Sequence, residues 1–240
     1  MAAAAEKQGD GVFERLKQAC PEDWGAYTGH AFVRGLGDGS LAEPCFRWYL
    51  AQDYLFLIHF ARAYALAAFK SDNLDDLRQA TATLDALINS EMQLHLKYCA
   101  GWGLSEGDMA ALPEAEQNLA YTRYVLERGL AGDLLDLLVA LAPCVLGYGE
   151  IGRALLADPS TRLEDNPYLD WIEVYGGGEY QEVAAAARAQ LERVARARLG
   201  DDPSASPRWP ALAATFRSAT RLEVGFWDMG LAPPAAFGGA

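Results

Sequence analysis

The stretch EPCFRWYLAQDYLFLIHFARAYALAAFK (43–70) decides the fold class, because its apolar residues recur at three- and four-residue spacing. A second stretch, DLLDLLVALAPCVLGYGEIGRALLA (133–157), has the same period and is apolar on more than one side. Helices of this kind lie in the middle of a multi-helix domain rather than on its rim. We therefore predict an all-α fold with a single multi-helix domain, in which ligand sites lie between facing helices.

The rest of the chain is also predicted to be helical, with short loops such as AGWGLSEGD (100–108) and DDPSASP (201–207). Since no linker is long enough to divide it, we predict one helical catalytic domain over 12–231. A mobile N-terminal segment (1–11) and a mobile tail (232–240) are predicted to flank it. The further predicted helices are 10–20, 24–36, 73–101, 114–131, 167–175, 179–199 and 207–230.

The formal net charge of −13 disfavours partners that carry negative charge. The basic residues are interspersed with acids, so we expect neither nucleic acid nor an anionic membrane as a partner. The N-terminus lacks the pattern of a secretory signal, and no apolar run approaches the length that spans a bilayer. The cysteines at 20, 45, 99 and 144 form no CxxC pair or zinc-ligand spacing. We therefore expect a cytoplasmic protein with free thiols.

Asp53 interrupts an otherwise apolar face of the predicted helix 43–70. A buried carboxylate without a partner is costly, so Asp53 needs either a ligand or a structural partner such as a tyrosine or a helix end. Glu223 interrupts a similar face of the last helix, beside Phe226 and Trp227. An apolar pocket raises the pKa of a glutamate, which suits a proton donor near neutral pH. The alternative for Glu223 is an edge position whose carboxylate reaches solvent.

Cys144 and Tyr148 lie four residues apart on one apolar stripe, so a phenol can sit one helical turn from a thiol. Buried free cysteines more often fill space than react. Tyr121 and Tyr175 are core tyrosines or side chains that orient a flat aromatic ligand. Glu91 and His95 share a helix face, as metal ligands do. With so few histidines, a buried Glu–His hydrogen bond is the preferred interpretation of that pair.

Six stretches, in order along the chain, together resemble the thiaminase II (TenA-type) family in its cysteine-containing branch. The resemblance covers about 12–231, and the APC…YGEIG and FWDM pieces are its most specific parts. The stretches are FRWYLAQDYLFLIHFARAYA (46–65), NSEMQLH (89–95), NLAYTRYV (118–125), ALAPCVLGYGEIG (140–152), YLDWIEVYGG (168–177) and EVGFWDMG (223–230).

This resemblance implies a haem-oxygenase-like helical bundle that forms a homotetramer and uses no metal or organic cofactor. It implies hydrolysis of 4-amino-5-aminomethyl-2-methylpyrimidine to the hydroxymethyl compound in thiamin salvage, and cleavage of thiamin as a second activity. The implied catalytic residues are Cys144 as nucleophile, Glu223 at a ring nitrogen and Tyr148 beside the cysteine. The implied substrate-binding residues are Asp53, Tyr121, Tyr175 and Phe56, where Phe56 replaces a tyrosine common in the family and leaves the preferred leaving group open.

Two alternatives remain at this stage. Helical domains of this architecture also host di-iron oxidases, for which Asp53, His59, Glu91 and His95 are candidate ligands. A non-enzymatic pyrimidine-binding or regulatory protein is the other, although the net charge argues against direct contact with DNA. Whether Cys20, Cys45 and Cys99 do more than pack is not indicated by the sequence.

Overall fold

The computed structural model describes residues 11–237, and within this range the regular structure is helical, with no strand. Residues 1–10 and 238–240, which include most of the predicted mobile N-terminal segment and the end of the predicted tail, lie outside the described residues. The helices are α1 (Val12–Gln18), α2 (Pro21–Thr28), α3 (Ala31–Asp38), α4 (Glu43–Phe69), α5 (Leu74–Ala86), α6 (Met92–Gly101), α7 (Glu106–Ala110), α8 (Glu116–Ala131), α9 (Leu134–Ala157), α10 (Leu169–Gly176), α11 (Gly178–Leu199) and α12 (Trp209–Leu231).

Helix α9 is the centre of the domain, as its apolar sequence predicts. It packs against α4, α8, α10, α11 and α12. Its first turn is fixed by Asp133, whose side chain accepts hydrogen bonds from the backbone N–H groups of Leu135 and Asp136. The guanidinium of Arg208 binds both aspartates at 2.7–3.0 Å, which ties the start of α12 to the start of α9. The single all-α domain is thus confirmed.

The sequence-based statement that no apolar run approaches a membrane-spanning length is wrong for α9. This helix is long and apolar enough to cross a bilayer, with a mean hydropathy of 1.7 over its most apolar window. However, 83% of that window is buried inside the domain. Packing on all sides by other helices explains the hydropathy of α9 without a membrane.

Three predicted elements differ from the structure. The predicted helix 24–36 is divided into α2 and α3 at Gly29, because His30 adopts an extended conformation and its Nδ1 accepts the N–H of Phe32. The predicted loop 100–108 contains the start of α7, where Ser105 and Asp108 form a reciprocal capping box. The segment Leu87–Glu91, between α5 and α6, is a π-helix within the predicted helix 73–101.

The described part of the predicted tail contacts the domain. The ring of Phe237 lies 4.9 Å from the ring of Trp48 on α4. The mobility of the tail and of the N-terminal segment stays a prediction.

Candidate active site

A small, partly enclosed pocket opens between α4, α5, the π-helix, α9, α10 and α11. Together with the solvent-filled space at its mouth it contains about 420 Å³ free of protein atoms. Five of the predicted site residues line it, and Tyr121 and Glu223 pack beside it. The lining residues are Asp53, Phe56, Leu57, Phe60, Thr83, Leu87, Glu91, Cys144, Val145, Tyr148, Tyr175, Tyr180 and Val183.

Asp53 is held by His95, which the sequence grouped with it only as a candidate metal ligand. The Nε2 atom of His95 lies 2.6 Å from Oδ2 of Asp53, and both side chains are buried. The Nδ1 atom of the same ring lies 2.9 Å from the backbone oxygen of Glu91, which only accepts, so Nδ1 carries a proton. Burial lowers the pKa of His95, but the hydrogen bond and charge of Asp53 outweigh it and the pKa is raised. The two side chains therefore form a buried imidazolium–carboxylate pair.

This pair corrects the prediction for Glu91 and His95. The expected bond between the two side chains is absent, since His95 contacts only the backbone oxygen of Glu91 and turns its other nitrogen to Asp53. The carboxyl group of Glu91 faces the pocket instead, where Oε1 accepts a hydrogen bond of 3.0 Å from the hydroxyl of Tyr175. The π-helix that ends at Glu91 places this residue at the wall, in keeping with the frequent occurrence of π-helical turns at functional sites.

Tyr49 links the aspartate to the cysteine-bearing helix. Its hydroxyl lies 3.4 Å from Oδ2 of Asp53 and 3.4 Å from the hydroxyl of Tyr148. It accepts a hydrogen bond of 3.3 Å from Nε1 of Trp171. All of these groups are buried. Tyr49 thus fixes Asp53 and Tyr148 relative to each other. Asp53 therefore has a tyrosine as its structural partner, and it also lines the pocket.

Glu223 is 1% exposed, so the alternative of an edge position in contact with solvent is wrong. Its Oε1 accepts a hydrogen bond of 2.7 Å from the hydroxyl of Tyr121. Burial raises the pKa of Glu223 to about 8, the bond from Tyr121 opposes this, and the charge of Asp53 adds to it. At neutral pH this carboxyl group is therefore largely protonated and available as a donor.

Cys144 lies in α9 directly after Pro143, and its side chain lines the pocket. The other three cysteines are buried. Burial, followed by the negative charges of Glu223, Glu91 and Asp53, raises the pKa of the Cys144 thiol well above its ordinary value. With the pocket in this state the thiol holds its proton, and a positively charged ligand would shift the balance toward the thiolate.

Phe56 forms an apolar wall of the pocket. Its ring stacks on Phe60 at 5.1 Å and lies 5.3 Å from the ring of Tyr121. It packs edge-on against Phe226 of α12. This wall gives the pocket an apolar aromatic lining and no hydrogen bond from position 56.

Of the four candidate di-iron ligands, Asp53, Glu91 and His95 lie together at the pocket, but His59 does not join them. Nε2 of His59 lies 3.0 Å from Oε1 of Glu114 and also contacts Arg123, away from Asp53 and His95. Within residues 11–237 no group of three or more His, Cys, Asp and Glu side chains has an arrangement that would hold a metal ion. The geometry of these residues thus does not fit the oxidase alternative.

Sequence reasoning placed Glu91 and His95 with Asp53 only in the di-iron alternative, and it did not identify Tyr49 as the partner of Asp53. The acid and histidine at four-residue spacing in EMQLH were preferably interpreted as a buried pair that bonds to itself. Tyr49 gave no signal, because tyrosines on apolar helix faces are usual in protein cores.

Comparison with known proteins agrees with the resemblance. The profile of the TENA/THI-4/PQQC family matches residues 18–232. The chain is 37% identical over 207 residues to the aminopyrimidine aminohydrolase of Halalkalibacterium halodurans, a match that covers 86% of this chain and 89% of that protein. A TenA family transcription regulator from Silicibacter sp. TM1040 has 50% identity and a TM-score of 0.88, with 92% of this chain and 96% of that one covered.

A more distant structure, a domain of unknown function from Shewanella denitrificans, bears on the fold alone. It is 17% identical, has a TM-score of 0.67 and covers 90% of both chains. It is described as having a heme oxygenase-like fold, which confirms the predicted bundle type.

Proposed function

The chain belongs to the TENA/THI-4/PQQC family, and we propose that it is an aminopyrimidine aminohydrolase acting in thiamin salvage. The observation that carries this function is the pocket itself. A cysteine, buried carboxyl groups and flat aromatic walls meet there, as hydrolysis of a substituted aminopyrimidine requires. The substrate is 4-amino-5-aminomethyl-2-methylpyrimidine, and the products are the hydroxymethyl compound and ammonia.

Binding begins with the ring and its exocyclic amine. Phe56 supplies a wall against which the flat ring stacks. Asp53 accepts hydrogen bonds from the exocyclic amine through its carboxyl oxygens, and its contact with His95 holds the carboxyl group in place. Tyr121 and Tyr175 act through the carboxyl groups that they hold in place. A ring fixed in this way is oriented for attack by the thiol.

Activation requires a proton on the pyrimidine ring, which is otherwise a poor electrophile. Glu223 donates this proton to a ring nitrogen, since its raised pKa keeps it protonated near neutral pH. The thiol of Cys144 passes its proton through the neighbouring phenol of Tyr148 to water as positive charge develops on the ring. The thiolate then forms a bond to the ring carbon beside the substituted position, and aromaticity is lost.

The electron pair gained by the ring breaks the bond between the exocyclic methylene and its nitrogen, and the substrate's ammonium group leaves as neutral ammonia. Water then adds to the methylene, and the proton that it releases passes through Tyr148 to Cys144. Departure of the thiolate of Cys144 and return of the ring proton to Glu223 restore the aromatic ring and both side chains. We propose thiamin as a second substrate. Phe56 lacks the hydroxyl of the family's usual tyrosine, so the sequence leaves open which leaving group is preferred.

The resemblance also supports a homotetramer that works in the cytoplasm and binds neither nucleic acid nor membrane. It supports catalysis without a metal or organic cofactor.

A paired turnover assay tests this function. Purified protein is given thiamin or the aminomethylpyrimidine, each with and without iodoacetamide. We expect thiol-sensitive release of ammonia from the aminomethyl compound, and loss of turnover with retained pyrimidine binding in Cys144→Ser. Cys45→Ser, which changes a buried cysteine outside the pocket, is the matched control and should keep full activity. Full turnover by Cys144→Ser would exclude the nucleophile, and turnover of neither compound by the wild type would exclude the function.

A further inference from the structure

Glu91 is a carboxyl group in the pocket that the reaction sequence above leaves without a role. It lines the same space as Cys144 and Asp53. Burial raises the pKa of the Cys144 thiol, and the charges of Glu223, Glu91 and Asp53 act in the same direction. Its Oε1 is fixed by Tyr175, and its backbone oxygen is occupied by His95. Glu91 is therefore held rigidly near the reacting sulfur.

The charged side chains that line the pocket are acidic. Asp53 and Glu91 line it, and the described lining residues include no lysine or arginine. The imidazolium of His95 is already paired with Asp53 at 2.6 Å. Burial raises the pKa of Glu91 while the charge of His95 lowers it, so a second positive charge in the pocket would favour its ionised form. The wall thus favours a cation next to Glu91.

The reaction requires such a cation. An aliphatic amine carries a proton at neutral pH in water, with a pKa near that of a lysine, about 10.4. When the bond between methylene and nitrogen breaks, the electron pair stays on nitrogen, so an ammonium group leaves as neutral ammonia and needs no further proton. Burial without a counter-charge would strip the proton from the amine and leave a much poorer leaving group.

We propose that Glu91 binds the positively charged group on the substrate's exocyclic methylene and so selects cationic leaving groups. The inference rests on the proposed function and names the residue that distinguishes substrate from product. The two differ only at this position, where the substrate carries an ammonium and the product a neutral hydroxyl. Loss of the charge pair after turnover also favours release of the product.

The experiment compares two residues and two ligands. Glu91→Gln keeps the shape of the side chain and an oxygen that accepts from Tyr175, and it leaves the backbone oxygen that holds His95. In this variant we expect the KM for the aminomethylpyrimidine to rise about 10- to 100-fold, the usual effect of losing a hydrogen bond to a charged group. The Kd of the neutral hydroxymethyl product, measured by calorimetry, should change less than about twofold, within the effect of a weak neutral contact. Glu173→Gln, which removes an exposed charge from α10, is the matched control and should change neither value.

Each outcome decides between the inference and a structural role. Equal weakening of both ligands in Glu91→Gln would show a general disturbance of the pocket and overturn the inference, as would unchanged KM. If Glu91→Gln fails to fold, the Cys144→Ser variant supplies the answer, since it binds without turnover. It should bind the aminomethyl compound at least about tenfold more tightly than the hydroxymethyl compound, and equal affinities would overturn the inference. Absence of turnover in the wild type would instead reject the proposed function.

Discussion

Glu223 shows how one buried carboxyl group couples the chemistry of this pocket to the stability of the chain. Its pKa is about 8 in the folded protein and near the ordinary 4.5 when exposed. At a pH between about 4.5 and about 8, the side chain of Glu223 is ionised in the unfolded chain but protonated in the native state. Stability therefore decreases as the pH rises from about 4.5 to 8 and levels off above that, with a slope of at most about 1.4 kcal/mol per pH unit.

We predict that Glu223→Gln removes this component of the pH dependence. The amide is neutral at every pH and still accepts the hydrogen bond from Tyr121. The Tm of the variant relative to the wild type should thus increase from pH 5 to pH 8, by thermal unfolding followed with circular dichroism. Turnover should be lost, because the variant has no proton to donate. A constant difference in Tm across this range would show that Glu223 is ionised in the native protein.

The residues that the sequence identified and those it missed differ in a physical way. Asp53 and Glu223 were recognisable because each interrupts an apolar stripe, and such residues need a partner wherever the helix packs. The partner itself is set by tertiary structure: His95 reaches Asp53 across 42 positions of sequence, and Tyr121 reaches Glu223 across 102. The periodicity of one helix contains no information about which distant residue packs against it.

At the scale of elements, the contact between α9 and α10 determines where Tyr175 lies. Gly152 of α9 has no side chain, and a Cβ there would lie 2.5 Å from the backbone nitrogen of Gly176 and from the carbonyl carbon of Tyr175. Backbone atoms cannot move aside as a flexible side chain can. The two helices can therefore approach this closely only with glycine at position 152, and the approach brings Tyr175 within reach of Glu91.

We predict that Gly152→Ala pushes α10 away from α9. Overpacking of this kind should lower the free energy of unfolding by about 1–3 kcal/mol, measured by urea denaturation. Turnover should fall at the same time, because Tyr175 moves with α10. Gly225→Ala on α12 is the matched control, since its Cβ would meet only Gln117 at 3.8 Å. This control should stabilise the chain by about 0.4–1 kcal/mol. Destabilisation by both variants alike would reject the packing explanation.

Helix boundaries followed from the sequence where packing and capping agree. The apolar periods of α4 and α9 determined both long helices to within one residue. The division at Gly29 and His30 was not recognised, because an imidazole that caps a helix has no distinct pattern. The π-helix before Met92 was not recognised either, since one inserted residue leaves an apolar stripe almost unchanged over a single turn.

For the whole molecule, the net charge bears on whether the protein binds DNA. The net charge is −13, from 33 acidic and 20 basic residues. Several arginines are already paired with acids, such as Arg193 with Asp76 at 2.8 Å and Arg123 with Glu114 at 2.7 Å. Binding to DNA draws most of its non-specific affinity from unpaired basic side chains that release counterions from the phosphates. A surface of this composition repels the duplex instead.

We predict that the protein does not bind duplex DNA, even at low salt, where electrostatic attraction is strongest. Fluorescence anisotropy of a labelled duplex should stay constant up to about 10⁻⁴ M protein, the weak end of non-specific binding. The same protein with an added C-terminal run of lysines is the control, and its binding should weaken as salt increases. Salt-sensitive binding by the wild type would reveal a concentrated basic surface and would favour the regulatory alternative. Because a catalytic pocket and a basic surface are independent features, that result would add a function and leave the turnover assay to decide the enzymatic one.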